Sequence, residues 1–95
     1  MRILATEQEI PGVDPEALAV HLKAEARAVL SLYERGIIRE IFFTRDTHEA
    51  VVFLECSSEE EARRHLAELP LVREGLITFK VIVLLPYDGF SRLLH

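Results

Sequence analysis

The sequence is poor in the residues that build covalent or metal-held scaffolds. Its one cysteine, Cys56, cannot close an internal disulfide and fits a reducing cytoplasm. Tryptophan is absent, and the four glycines form no phosphate-cradling loop. The four histidines, His21, His48, His65 and His95, fall in different segments without ligand spacing, so neither a metal nor another cofactor is expected. Basic residues are outnumbered 11 to 16 and the net charge is −5, which argues against nucleic acid or an anionic membrane as the main partner. The longest purely apolar run, Val81-Ile82-Val83-Leu84-Leu85, is far short of the ~18 residues a bilayer span needs. No basic stretch followed by an apolar one opens the chain, so no secretory signal is expected.

What is present is a globular composition, 49% hydrophobic and 28% charged, sized for a single domain over residues 1–95. Residues 2–8 alternate weakly and read as a strand. Asp14-Pro15 offers an N-cap and a proline at the first helical position, and Leu18, Leu22, Ala26, Val29 and Tyr33 repeat at helical spacing up to Gly36. The spacing predicts one helix with that stripe buried and Gly36 as its C′ residue. Ile37 to Thr44 and Ala50 to Cys56 read as strands joined by a turn at Arg45-Asp46-Thr47-His48. Ser58 and Glu61 have capping-box spacing at the start of a second helix, with Ala62, Leu66 and Leu69 inward, Glu59–Arg63 and Glu60–Arg64 as surface pairs, and Pro70 as its stop. Leu76 to Leu85 is the last strand. The tail carries Tyr87, Phe90, Leu93 and Leu94, enough apolar surface to dock on something.

The order βαββαβ predicts an α+β, ferredoxin-like fold with both helices on one face of a four-stranded antiparallel sheet. Such a sheet should alternate apolar and polar residues when its second face is wet. Val51-Val52-Phe53-Leu54, Ile41-Phe42-Phe43 and Val81 to Leu85 do not. Two helices cover one face only, so the other is expected to pair with a second copy, as a homodimer with any pocket between sheet and partner. RNA-recognition domains share this order, but they need aromatics on the first and third strands and a basic face. Here the first strand has none and the third has only Phe53.

Leu22-Lys23-Ala24-Glu25, Arg35-Gly36 leading into a strand with Arg39, Leu69-Pro70-Leu71 and Pro86 after the last strand together resemble the muconolactone delta-isomerase family. The similarity runs from about residue 10 to 86 and rests on the order and spacing of short motifs. It implies the dimeric α+β barrel fold, with the dimers assembling into a ring-like oligomer. It further implies a cofactor-independent proton shift on a small carboxylated lactone or related aromatic catabolite. The strands here are more apolar than the family's, and Lys80 stands where an acidic residue is expected. The alternative is a non-catalytic small-ligand-binding or assembly module on the same barrel.

A proton shift beside a lactone carbonyl needs a base, a stabiliser for the enolate oxygen and an anchor for a substrate carboxylate. A turn centred on Asp46-Thr47 pairs Phe43 with Ala50, Ile41 with Val52 and Arg39 with Leu54. The family resemblance makes Arg39's face the cavity side. Arg39 is then the carboxylate anchor, or else a rim ion pair. His48 is a candidate acid/base by its unperturbed pKa of about 6.5, or a solvated turn residue. Lys80, on an apolar strand beside Thr78, is a candidate catalytic cation with Thr78 as a substrate contact; the alternative is a lysine that snorkels out at the strand edge. Glu40, flanked by Ile38 and Phe42, is a candidate base if buried, or a salt bridge to a helix. Glu25 matches an acidic family position and reads as a surface residue.

Overall fold

The computed structural model describes residues 1–94; His95, one of the four histidines weighed above, lies outside them. The strands are β1 (Arg2–Glu9), β2 (Ile38–Phe43), β3 (Ala50–Glu55) and β4 (Ile77–Leu84). They form one antiparallel sheet in the order β2-β3-β1-β4. The helices are α1 (Pro15–Ala19), α2 (Leu22–Glu34), α3 (Glu59–Ala67) and α4 (Pro70–Arg73), and a 3₁₀ turn spans Gly89–Leu94. This is the expected α+β, ferredoxin-like arrangement. No helix among the described residues is long and apolar enough to cross a membrane.

Local chemistry accounts for most boundaries. Asp14 accepts a hydrogen bond from the Glu16 amide at 3.0 Å and Pro15 opens α1. Gly36, at φ +75°, closes α2 in a Schellman arrangement: its amide donates to the Tyr33 carbonyl and the Ile37 amide to the Leu32 carbonyl. Ser58 accepts from the Glu61 amide at 3.1 Å and caps α3. The Glu61 carboxylate reaches back to the Ser57 amide at 2.7 Å, one residue earlier than in the usual capping box. Of the two surface pairs, Glu59–Arg63 forms at 3.3 Å; no Glu60–Arg64 bridge occurs among the described residues.

Three expectations need correction. The stretch from Asp14 to Gly36 is two helices, broken at Val20-His21. Pro70 does not simply end a helix; it opens α4 at the first helical position. The predicted stripe is also not the buried face of α2. Leu22 and Tyr33 are exposed, whereas Leu32 is buried and Ala28 and Val29 pack on the core. The helix is rolled so that Glu25, Val29 and Leu32 look inward, spaced four and three apart.

The core lies between the sheet and the helices. Ile3 and Ala5 of β1, Val52 and Leu54 of β3 and Ile38 of β2 meet Leu32, Ala62, Leu66 and Leu69, with Phe79, Val81 and Val83 of β4 packed against them. The opposite face carries no helix. Across it runs a row of Glu40, Phe53, Leu4 and Ile82, and beside that a row of Phe42, Val51, Thr6 and Lys80. Phe42 is 53% exposed. The open face is therefore mostly apolar but interrupted by Glu40, Thr6 and Lys80, less uniformly dry than the strand sequences suggested.

Candidate active site

Position by position, the candidate residues do not converge. The β2–β3 ladder pairs Phe43 with Ala50 and Ile41 with Val52 as expected, but Leu54 pairs with Ile38, not Arg39. A bulge at Arg39 absorbs one residue, and bulges re-aim side chains in this way. Arg39 is exposed and its Nε donates to the Gly36 carbonyl at 2.7 Å. The face shared by Ile41, Val52 and Leu54 is the helix-covered one, and the bulge takes Arg39 out of their row, so Arg39 does not share a cavity face with them. Glu40 and Lys80 are exposed on the open face, on the two outer strands. Three strand spacings of about 4.8 Å across the sheet and one row along the strands separate them, about 16 Å in all. Thr78 is exposed two residues from Lys80. His48 lies elsewhere, at positive φ in the turn, with its ring stacked on Phe43 at 4.0 Å.

The structure gathers two other carboxylates. Ile3, Ala5 and Glu7 occupy alternate positions of β1 and share its helix side. Glu7 lies one residue past the last β1–β3 pair, Thr6–Val51, and its Oε1 accepts from the Ala50 amide at 2.9 Å. From above, Glu25 of α2 accepts from the Leu71 amide of α4 at 3.0 Å. Both carboxylates line one small cavity of about 70 Å³ between sheet and helices. Every other lining residue is apolar. Leu69 and Leu71 form a buried roof, while Phe43 is 59% exposed and marks the mouth toward β2, where His48 stacks on it. Glu7 and Ile77 also line an outer groove of about 350 Å³, bounded by the loop Ile10 to Val13. Cavity and groove thus share a wall.

Burial is the main cause that pushes the Glu25 carboxyl above its ordinary pKa, and the negative charge of Glu7 adds to it. The Leu71 amide pulls the other way but does not outweigh burial. A half-buried carboxyl held above the usual range is a stronger base than a free one and is suited to taking and returning a proton. No group of three or more His, Cys, Asp or Glu residues able to hold a metal occurs among the described residues. Cys56 is buried and its thiol is pushed up, chiefly by burial, so it lacks the character of a nucleophile.

Neither carboxylate was singled out as a base from the sequence. Glu25 sits among Leu22 and Ala26, whose spacing marks the wrong face as buried. Glu7 could have been found: the alternation of Ile3 and Ala5 places it on the core side, where a carboxylate needs a reason.

No protein-family model and no curated relative matches the chain. Solved structures do. Muconolactone isomerase superposes with a TM-score of 0.77 at 18% identity, over 94% of this chain and 93% of that one. The 5-chloro-2-hydroxyhydroquinone dehydrochlorinase of Burkholderia phenoliruptrix AC1100, solved with 2,5-dihydroxybenzoquinone, superposes with a TM-score of 0.66 at 18% identity, over 94% and 98%. The chain therefore shares the fold of these two proteins.

Proposed function

We propose that this chain is a small cofactor-independent enzyme that shifts a proton, and with it a carbon–carbon double bond, on a lactone or related ring compound. It works as a homodimer through the open sheet face. One observation carries the reading: a half-buried carboxyl, Glu25, stands in an apolar cavity beside a second carboxyl, on a fold shared with muconolactone isomerase and a dehydrochlorinase.

The Glu25 carboxylate takes the proton from the carbon next to the substrate carbonyl. The C–H electron pair becomes an enolate, conjugated with the adjacent double bond. The Glu25 carboxylic acid then returns the proton two carbons further along, and the double bond moves between them. One group suffices, because Glu25 both removes a proton and delivers one. While the enolate is held between the apolar walls, the Glu25 acid exchanges its proton with water at the mouth beside Phe43, so that solvent hydrogen enters the substrate. Burial keeps the Glu25 carboxyl basic, and the charge of Glu7, the other charged residue of the cavity among the described residues, adds to it. Arg39, Glu40, Thr78 and Lys80 stand outside this cavity, and His48 flanks its mouth.

A second reading has its own support. The Ala50 and Leu71 amides nearest the carboxylates are already taken by them, so no free donor is in place for an enolate oxygen. That favours a ligand-binding module. Proton exchange separates the two. The chain is incubated in deuterated water with a panel of butenolides, neutral and carboxylated, and deuterium uptake beside the carbonyl is followed by NMR. The enzyme reading expects catalysed uptake, lowered at least ~100-fold in Glu25→Gln while the circular dichroism spectrum is unchanged. No uptake with any butenolide, or uptake indifferent to Glu25→Gln, removes it.

A further inference from the structure

We infer that the cavity and its outer groove take an uncharged carbonyl compound and reject the carboxylated analogue of the same shape. This rests on the proton-shift reading of the same cavity but goes beyond it in naming the substrate class. Among the described residues, the only charged ones lining the cavity are Glu7 and Glu25. Those lining the groove are Glu7 and Glu9. Across the two spaces together, three carboxyl groups and no cation among the described residues therefore face a ligand.

The cations that could anchor a substrate carboxylate are held elsewhere. Lys80 is on the opposite face of the sheet, in register with Thr6. Arg39 gives its Nε to the Gly36 carbonyl. Arg2, five positions before Glu7 on β1, is paired with Glu55 at 3.3 Å. An anion brought beside Glu7 would lose its hydration among apolar walls and gain no counter-charge. An ester or lactone of the same outline would lose far less and keep its carbonyl available to Glu25. The small enclosed volume and the larger groove suggest a division of labour: the reacting ring edge enters past Ile77, and an apolar substituent lies along Ile10 to Val13.

The test uses a matched pair, a carboxymethyl-substituted butenolide and its methyl ester, with the full chain. Binding is read by calorimetry at pH 7 and proton exchange by NMR. The expected result is that the ester binds at least tenfold more tightly than the acid, and that Glu7→Gln narrows this ratio at least threefold without abolishing ester binding. Equal or tighter binding of the acid overturns the inference. So does a ratio unchanged by Glu7→Gln, or failure of the ester to bind at millimolar concentration. Ester binding without exchange would leave the inference standing and remove the proton-shift reading; exchange of the acid at the rate of the ester would do the reverse.

Discussion

The carboxylate of Glu25 accepts a hydrogen bond from the backbone amide of Leu71 at 3.0 Å, tying α2 to the first turn of α4 across the roof of the cavity. Leu71 is buried, so its amide has little access to water. Glu25→Ala leaves that donor unpartnered and should lower stability by about 1–3 kcal/mol. Glu25→Gln keeps a carbonyl oxygen in the same place and should lie much nearer the wild type. Urea unfolding of the two variants checks this, and equal losses would show that the contact does not hold the roof.

The same residue sets a pH dependence. Its pKa in the folded chain is raised above the ordinary 4.5, first by burial and then by the charge of Glu7. Between the two values the folded chain binds more protons than the unfolded one. The Glu25 contribution to stability therefore falls as pH rises through 4.5 toward the folded value, and levels off above it. Glu25→Gln has no such fall, so the stability of the variant relative to wild type should climb across that window and then stay flat. The rate of proton exchange should rise with pH over the same window, as the carboxylate form appears. A rate already at its plateau at pH 4.5 would contradict the raised pKa.

How much of this was readable in advance follows from what each signal reports. The element order was legible from the succession of strand and helix patterns, and the largely apolar second face because Val51 to Leu54 break alternation whatever the register. Ser58 with Glu61, and Gly36, were legible because caps are local chemistry. The break at Val20-His21 carries no glycine or proline, so the period of four runs through it unmarked. The stripe from Leu22 to Tyr33 and the face from Glu25 to Leu32 differ by less than a quarter turn or so, and only the packed sheet chooses between them. Arg39 was misplaced by one residue because a bulge leaves no signature in Ile38-Arg39-Glu40. The cavity itself brings together β1, α2 and α4, and no local pattern reports that meeting.

The start of α3 offers a separate check. Ser58 accepts the Glu61 amide, and the Ser57 hydroxyl and amide both donate to the Glu61 carboxylate. The Ser57 hydroxyl is the first cause that holds the Glu61 carboxyl below its ordinary value. Ser58→Ala should cost about 1 kcal/mol. Since the folded pKa of Glu61 is lowered, its contribution is present above 4.5 and fades as pH falls through the folded value. The difference between wild type and Glu61→Gln should therefore shrink in acid. Thermal unfolding at neutral and acid pH measures both effects, and a difference that grows in acid would contradict the assignment.

The open face makes the last prediction. Leu4 sits between Phe53 on one side and Ile82 on the other, with Glu40 at one edge of the sheet and Lys80 at the other, one row apart. A two-fold axis running parallel to the strands lays β2 of one protomer over β4 of its partner. That rotation buries the Leu4 row against its own copy and brings each Glu40 toward the partner's edge that carries Lys80. Light scattering should then give twice the 10.9 kDa chain mass at micromolar concentration. Phe53→Asp should yield monomers, because it places a charge in the middle of the apolar row. Glu40→Lys alone should weaken the dimer through like charges meeting Lys80, and Glu40→Lys combined with Lys80→Glu should restore it, since exchanging the two signs preserves the pairing. Both residues are exposed, so their exchange leaves the protomer fold intact. A double variant as weak as the single one would place the axis across the strands, with β2 over β2; a wild type that stays monomeric at high concentration would remove the face-to-face dimer altogether.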